Sequence, residues 1–207
     1  MFIPRHPVVE NQFCSYGENN SYGAGGVGAV VAYAGSVVYL DPAATNQEAM
    51  VFKMAVGVTQ KPFGFAMQKV KVGYHQVHPT GFMMPGDLGS SDVIAQPLYS
   101  AAGVITGHKA APLGVAHNGI WDTVHYTSTG AEAGTISAAL VPGQDLYAAT
   151  DEAKVTNDNS GTGTGTDKED SVTQNIVARV VKGASIAKVQ ANTDNTTLYP
   201  IRIKLLV

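Results

Sequence analysis

Alternation of apolar and charged positions is clearest at the end of the chain. In Tyr199–Val207, YPIRIKLLV, Ile201, Ile203 and Leu205 fall on one side of an extended backbone while Arg202 and Lys204 fall on the other. This predicts a final strand with one buried face, paired well inside a sheet once past Pro200. Lys69 and Lys71 alternate with Val70 and Val72 and predict a half-exposed strand. Val27–Val31 and Gly35–Leu40 are apolar and β-branched, and Gly35 between them predicts two strands joined by a tight bend.

A short pattern recurs. PFGFA (Pro62–Ala66) returns as PLGVA (Pro112–Ala116), and each closes a similar unit: GSVVYLD (Gly35–Asp41) precedes the first and DVIAQPLY (Asp92–Tyr99) the second. GQDLYAATDEAKV (Gly143–Val155) opens a third unit, whose closing strand is displaced by an insertion into Ile176–Val189. MPGDL and VPGQDL both set Pro-Gly ahead of a strand, so the chain is organised as a strand–turn–strand unit used about three times.

Other stretches break the pattern. Residues 1–28 carry Pro4, Pro7, Gly17 and four further glycines among scattered aromatics, which predicts an extended arm without regular elements, packed on its own body or on a neighbouring subunit, or else a disordered tail. FMMPGDLGSS (Phe82–Ser91) reads as a loop, with a subdivision of the 29–207 body placed near residue 92. Thr156–Asp170 has no apolar side chain and predicts a mobile surface loop. Ser171–Lys182 fits either period, with strand preferred, and GIWDTVHY (Gly119–Tyr126) places Trp121, the single tryptophan, in a core strand.

Composition sharpens the fold class. Val, Ala, Thr, Gly and Tyr are abundant and long helical periodicity is almost absent, so the expected fold is all-β, an antiparallel β-barrel or sandwich, jelly roll included, with an extended N-terminal arm. At 207 residues the chain can bury a sizeable core. A net charge of -3 without a basic block argues against nucleic acid as a partner. The opening residues lack an apolar signal core and no apolar run reaches about 18 residues, so neither signal export nor membrane spanning is expected. The lone Cys14 excludes an intrachain disulfide and reads as a packing residue.

Candidate chemistry is thin. His75 and His78 are three apart and face opposite sides of a strand, which does not suit a shared metal, and His6, His108, His117 and His125 are isolated. No nucleophile elbow, zincin, P-loop or paired-cysteine motif occurs, and GAGGVG (Gly23–Gly28) lacks the flanking strand and helix of a dinucleotide loop. The acidic 156–170 loop lacks EF-hand spacing. No enzyme activity, metal or cofactor is expected.

Gly35–Leu40, the Gly/Ala-rich stretch after it, and the closing turns at Phe63–Ala66 and Leu113–Ala116 together resemble the small β-rich capsid decoration (cement) proteins of tailed bacteriophages. The resemblance implies a virion protein, made in the host cytoplasm, that binds the outer surface of the assembled head as a homotrimer. Its partner would be the major capsid protein, and it would staple neighbouring capsomers and so stabilise the head. Apolar groups in segments that cannot fold alone nominate Phe2, Ile3, Phe13 and Tyr16 as contact residues, with Met83 and Met84 as adaptable packing at a contact. On this reading, deletion of Met1–Tyr22 should abolish attachment and leave the body folded. The alternative is a receptor- or carbohydrate-binding β module of a phage tail or spike, with Tyr, Trp and Asn on loops forming the site.

Overall fold

The computed structural model describes residues 2–5, 11–18, 30–42, 49–55, 59–72, 93–99, 101–102, 105–128, 138–159 and 175–207. Within them the chain is all-β apart from one short helix. The strands form two sheets.

The first sheet is built around β9 (Ile105–Ala116), which begins a closed circuit. β9 pairs antiparallel with β2 (Asn11–Glu18) along one edge and with β6 (Pro62–Ala66) at its C-terminal end. From β6 the circuit passes to β4 (Val37–Leu40) and β5 (Met50–Lys53), then returns to β2 through a parallel pairing. Five strands thus make a small ring. The N-terminal half of β9 pairs instead with β8 (Val93–Tyr99), which continues through β7 (Val70–Val72) to β3 (Val30–Ala32).

The second sheet runs β1 (Phe2–Pro4), β10 (Ile120–Thr123), β14 (Ile201–Leu205), β13 (Ala178–Lys182), β11 (Asp145–Ala148) and β12 (Val155–Thr156), all antiparallel. A parallel bridge between Tyr126 and Val155 curls β12 back toward the segment after β10. The short helix α1 (Ile186–Thr193) links β13 to β14 and buries Val189 and Asn192. It ends where Asn195 takes a left-handed conformation (φ 55°), a common stop signal.

Period-two alternation distributes side chains between two cores. In the ring, Val38, Val51, Ala66, Leu113 and Val115 point inward with Cys14. Their strand neighbours Val37, Phe65 and Ala116 point outward and join the core of the second sheet, with Trp121, Leu146, Val180, Ile201, Ile203 and Leu205. The ring's outer face is therefore one wall of the second core.

The final strand has the predicted burial, with Ile201, Ile203 and Leu205 inside, and lies between β10 and β13. β4 pairs antiparallel with β6 and β11 with β13, but in the second unit β8 pairs with Ile105–Lys109, while Leu113–Ala116 pair with β2 and β6. Expectations change at the N-terminus and at Thr156. The N-terminal segment does hold regular structure: β2 is eight residues long because β9 and β5 supply partners on both sides, and β1 is an edge strand of the second sheet. The chain passes between the sheets twice, between Pro4 and Asn11 and between Ala116 and Ile120. Ser171–Lys182, where strand was preferred, ends in β13, and helix α1 lies beyond it in a stretch for which no helix was predicted. Thr156 is buried on β12, so a surface loop can begin only after it, and 160–170 lie outside the described residues.

Candidate functional site

The densest polar chemistry lies where the two sheets meet, and a four-residue turn builds it. Tyr33–Ser36 joins β3 to β4 through Gly35 at φ 101°, a conformation that strains any residue with a Cβ. A Cβ there would also lie 3.0 Å from Thr123 Oγ1 and 3.1 Å from His125 Cβ. The turn places the buried Ser36 hydroxyl against the segment after β10. Ser36 Oγ accepts from the Tyr33 amide at 3.1 Å and donates to the Glu152 carbonyl at 2.8 Å. His125 Nε2 lies 3.1 Å from the same hydroxyl and 3.0 Å from the same carbonyl.

The Glu152 carbonyl reaches inward because Glu152 and Ala153 both adopt φ 52° in the turn between β11 and β12. Further contacts dock this turn on the ring: the Val37 amide donates to the Ala153 carbonyl at 2.9 Å, and Lys53 Nζ meets the Glu152 carboxylate at 2.6 Å. Tyr33 stacks on the imidazole with ring centres 5.3 Å apart.

Burial pushes His125 down to about 3; nearby Lys154 and the amino terminus act the same way, against the Glu152 carbonyl contact and Asp151. The imidazole is neutral. A carbonyl oxygen only accepts, so Nε2 carries the proton that serves Glu152, and the Ser36 proton is already directed to that carbonyl. General-base activation of a serine needs an unprotonated nitrogen facing the hydroxyl. This Ser–His pair lacks one and acts as a structural polar knot between the sheets.

A second cluster fastens the N-terminus. Phe2 is 8% exposed and lies between Trp121 (centroids 4.3 Å apart, near-parallel) and Phe65 (5.7 Å). Arg5 Nε meets Asp122 Oδ2 at 2.6 Å, and Arg202 meets both carboxylate oxygens, Nε to Oδ1 at 2.8 Å and Nη2 to Oδ2 at 3.2 Å. The hydrogen bonds from Arg202 and Arg5 hold the Asp122 carboxyl below its ordinary range against the opposing effect of burial.

These contacts correct part of the nominated contact set. Phe2 belongs to the chain's own core and is not a free contact group. Ile3, on β1, is half-buried and pairs with Asp122 of β10. Phe13 and Tyr16 lie in β2, in register with Gly114 and with Ala110 and Val51, and their side chains lie outside what is described. Met83, Met84, His75 and His78 also lie outside the described residues. Cys14 is buried inside the ring, where desolvation pushes its thiol up, and Trp121 is a core residue at 1% exposure. His117 Nδ1 lies 2.8 Å from the Phe63 carbonyl, leaving a buried Nε2 with no partner.

Other apolar side chains are exposed. Six of the eight exposed large hydrophobics among the described residues, Val141, Ile176, Val181, Ile186, Leu198 and Leu206, belong to the second sheet and its connections. Val141 (51% exposed) and Val181 (42%) lie on the two segments Leu140–Gln144 and Val180–Ala184, which run antiparallel, and Ile186 (46%) follows at the start of α1. Pro142-Gly143 and Val180-Val181-Lys182 were the available signals, but an apolar residue's exposure depends on strand register. Among the described residues no group of three His, Cys, Asp or Glu could hold a metal, and no helix is long and apolar enough to cross a membrane. The chain matches no protein-family model and no curated protein.

Proposed function

We propose that the chain is a structural virion protein, not an enzyme, that binds the outer surface of a capsid and staples neighbouring capsomers, acting as a homotrimer on the major capsid protein. The observation that carries this reading is the exposure of the aliphatic Val141, Val181 and Ile186 on and beside one strand pairing, set on a body whose buried Ser–His pair is committed to holding the fold. Contiguous exposed apolar groups mark contact surfaces more often than scattered ones do. Three aliphatic side chains supply only a modest contact, and linking subunits raises the effective concentration of each contact after the first. The tail or spike alternative needs a cluster of exposed aromatics for a glycan. Tyr33 is the single aromatic among the exposed large hydrophobics of the described residues, and it is stacked on His125.

The test is copy number. Quantitative mass spectrometry of particles of the encoding virus should find about one copy per capsid subunit, and Val141→Asp with Ile186→Asp should lower occupancy about tenfold, a loss of about 1.4 kcal/mol. Absence of the chain from particles, or a handful of copies, would overturn the reading.

A further inference from the structure

Strand register assembles a charge pattern that the sequence disperses. On the outer face of the second sheet, Arg179 of β13 stands opposite Lys204 of β14, and Lys182 opposite Arg202. A register shift between Val180 and Lys182 puts Lys182 on this face, and Val181 is exposed there as well. Arg202 also faces Asp122 across β10, and Arg179 faces Asp145 across β11 at 2.7 Å. Among the described residues no carboxylate pairs with Lys182 or Lys204.

Like charges directly opposite each other on neighbouring strands destabilise a sheet. Here two such pairs sit side by side at the centre of an open face. With Arg5, the face gathers five of the chain's 13 cations and only two of its 16 carboxylates, leaving eight cations and fourteen carboxylates elsewhere. The face is thus +3 and the remainder −6. Departures from local sheet rules mark sites that serve a contact.

We infer that this face docks a carboxylate-rich protein surface. Cross-strand cations about 5 Å apart, repeated about 7 Å along each strand, can meet carboxylates presented at similar spacing by another sheet or helix. The exposed Val181 suits a protein contact. A nucleic acid fits less well: two aspartates stand within the face, and a tight phosphate-backbone contact neutralises about six to ten phosphates, more than this face's cations can match. The inference rests on charge placement and holds whether or not the shell reading stands.

The test uses the full chain on immobilised poly-L-glutamate, with single-stranded DNA as the second probe. Because the chain is net negative, retention by an anionic polymer requires a local basic face. The expected result is retention on poly-L-glutamate at low salt, release by about 0.5 M salt, and weaker binding to DNA. Lys182→Glu with Lys204→Glu should lower retention at least tenfold, and the milder Lys182→Gln with Lys204→Gln should lower it less, with Trp121 fluorescence unchanged in both. No retention of the wild-type chain, equal retention of the glutamine variant, or tighter binding to DNA would overturn the inference.

Discussion

The two sheets fill their interiors differently. Inside the five-strand ring are Cys14, Val38, Val51, Ala66, Leu113 and Val115, mostly small side chains. The second core holds Trp121, Tyr126, Leu146, Ile201, Ile203 and Leu205, and also takes Phe2 from the N-terminus and Phe65 from the ring. A ring of few strands has a narrow interior, which valine and alanine fill without strain. The curled second sheet encloses more space than its own strands fill, and the first residues of the chain complete it. The ring could in principle pack alone, whereas the second core cannot, so the two sheets form an interlocked body.

The most severe way to break this relation is to remove residues 1–22. That deletes β1 and β2, opens the ring between β9 and β5, and empties the Phe2 site. The expected outcome is loss of cooperative unfolding in near-ultraviolet circular dichroism. This outcome opposes the expectation that a truncated body stays folded, since the segment treated there as an arm supplies a strand to each sheet.

Phe2→Ala is the narrower cut. It leaves the strands in place and removes one large side chain between Trp121 and Phe65, at a cost of about 3–4 kcal/mol. Trp121 is the single tryptophan, so its emission reports directly on the second core. Hydrogen exchange should accelerate more in β13 and β14 than in β4 and β6. Equal acceleration in both sheets would mean that the ring also depends on Phe2.

What the sequence disclosed follows the same division. The alternation in Ile201–Leu205 was legible because one face is buried and the other wet, and Trp121 was legible as a core residue because of its size. β2 was not, because Asn11–Glu18 mixes polar and apolar residues and becomes a strand through partners about 35 and 100 residues away. Helix α1 has weak signals, Ser185 at its start and Ala187, Lys188, Gln190 and Ala191 within it, against a valine-rich strand just before. The Ser36–His125 knot joins residues 89 apart, and the cation pairs of the outer face depend on a register shift. None of these leaves a local pattern.

Acid should loosen the junction next. His125 is held neutral in the fold, with its value near 3 against 6.5 when unfolded. A depressed folded value means that its full stability is present above about 6.5 and is lost as the pH falls toward 3, because the unfolded chain takes up the proton first. The slope approaches about 1.4 kcal/mol per pH unit, or about 3 kcal/mol lost by pH 4. Denaturant titrations at pH 7 and pH 4 should show it, and His125→Gln should flatten the difference. Because the imidazole touches both the ring turn and the β11–β12 turn, fluorescence and near-ultraviolet probes should shift together. Separate transitions would show that the sheets can part at this knot.

The smallest effect separates backbone conformation from packing. Gly143 sits at φ 88° in the turn ahead of β11, and a Cβ there would meet nothing within 4 Å. Gly143→Ala therefore carries only the conformational cost of a left-handed residue, about 1 kcal/mol. The turn lies beside Val141 on the exposed side of the second sheet, away from the Phe2 site, so the loss should appear in the melting temperature with Trp121 emission unchanged. A loss as large as that of Phe2→Ala would mean that this turn, and not the N-terminal plug, sets the stability of the second core.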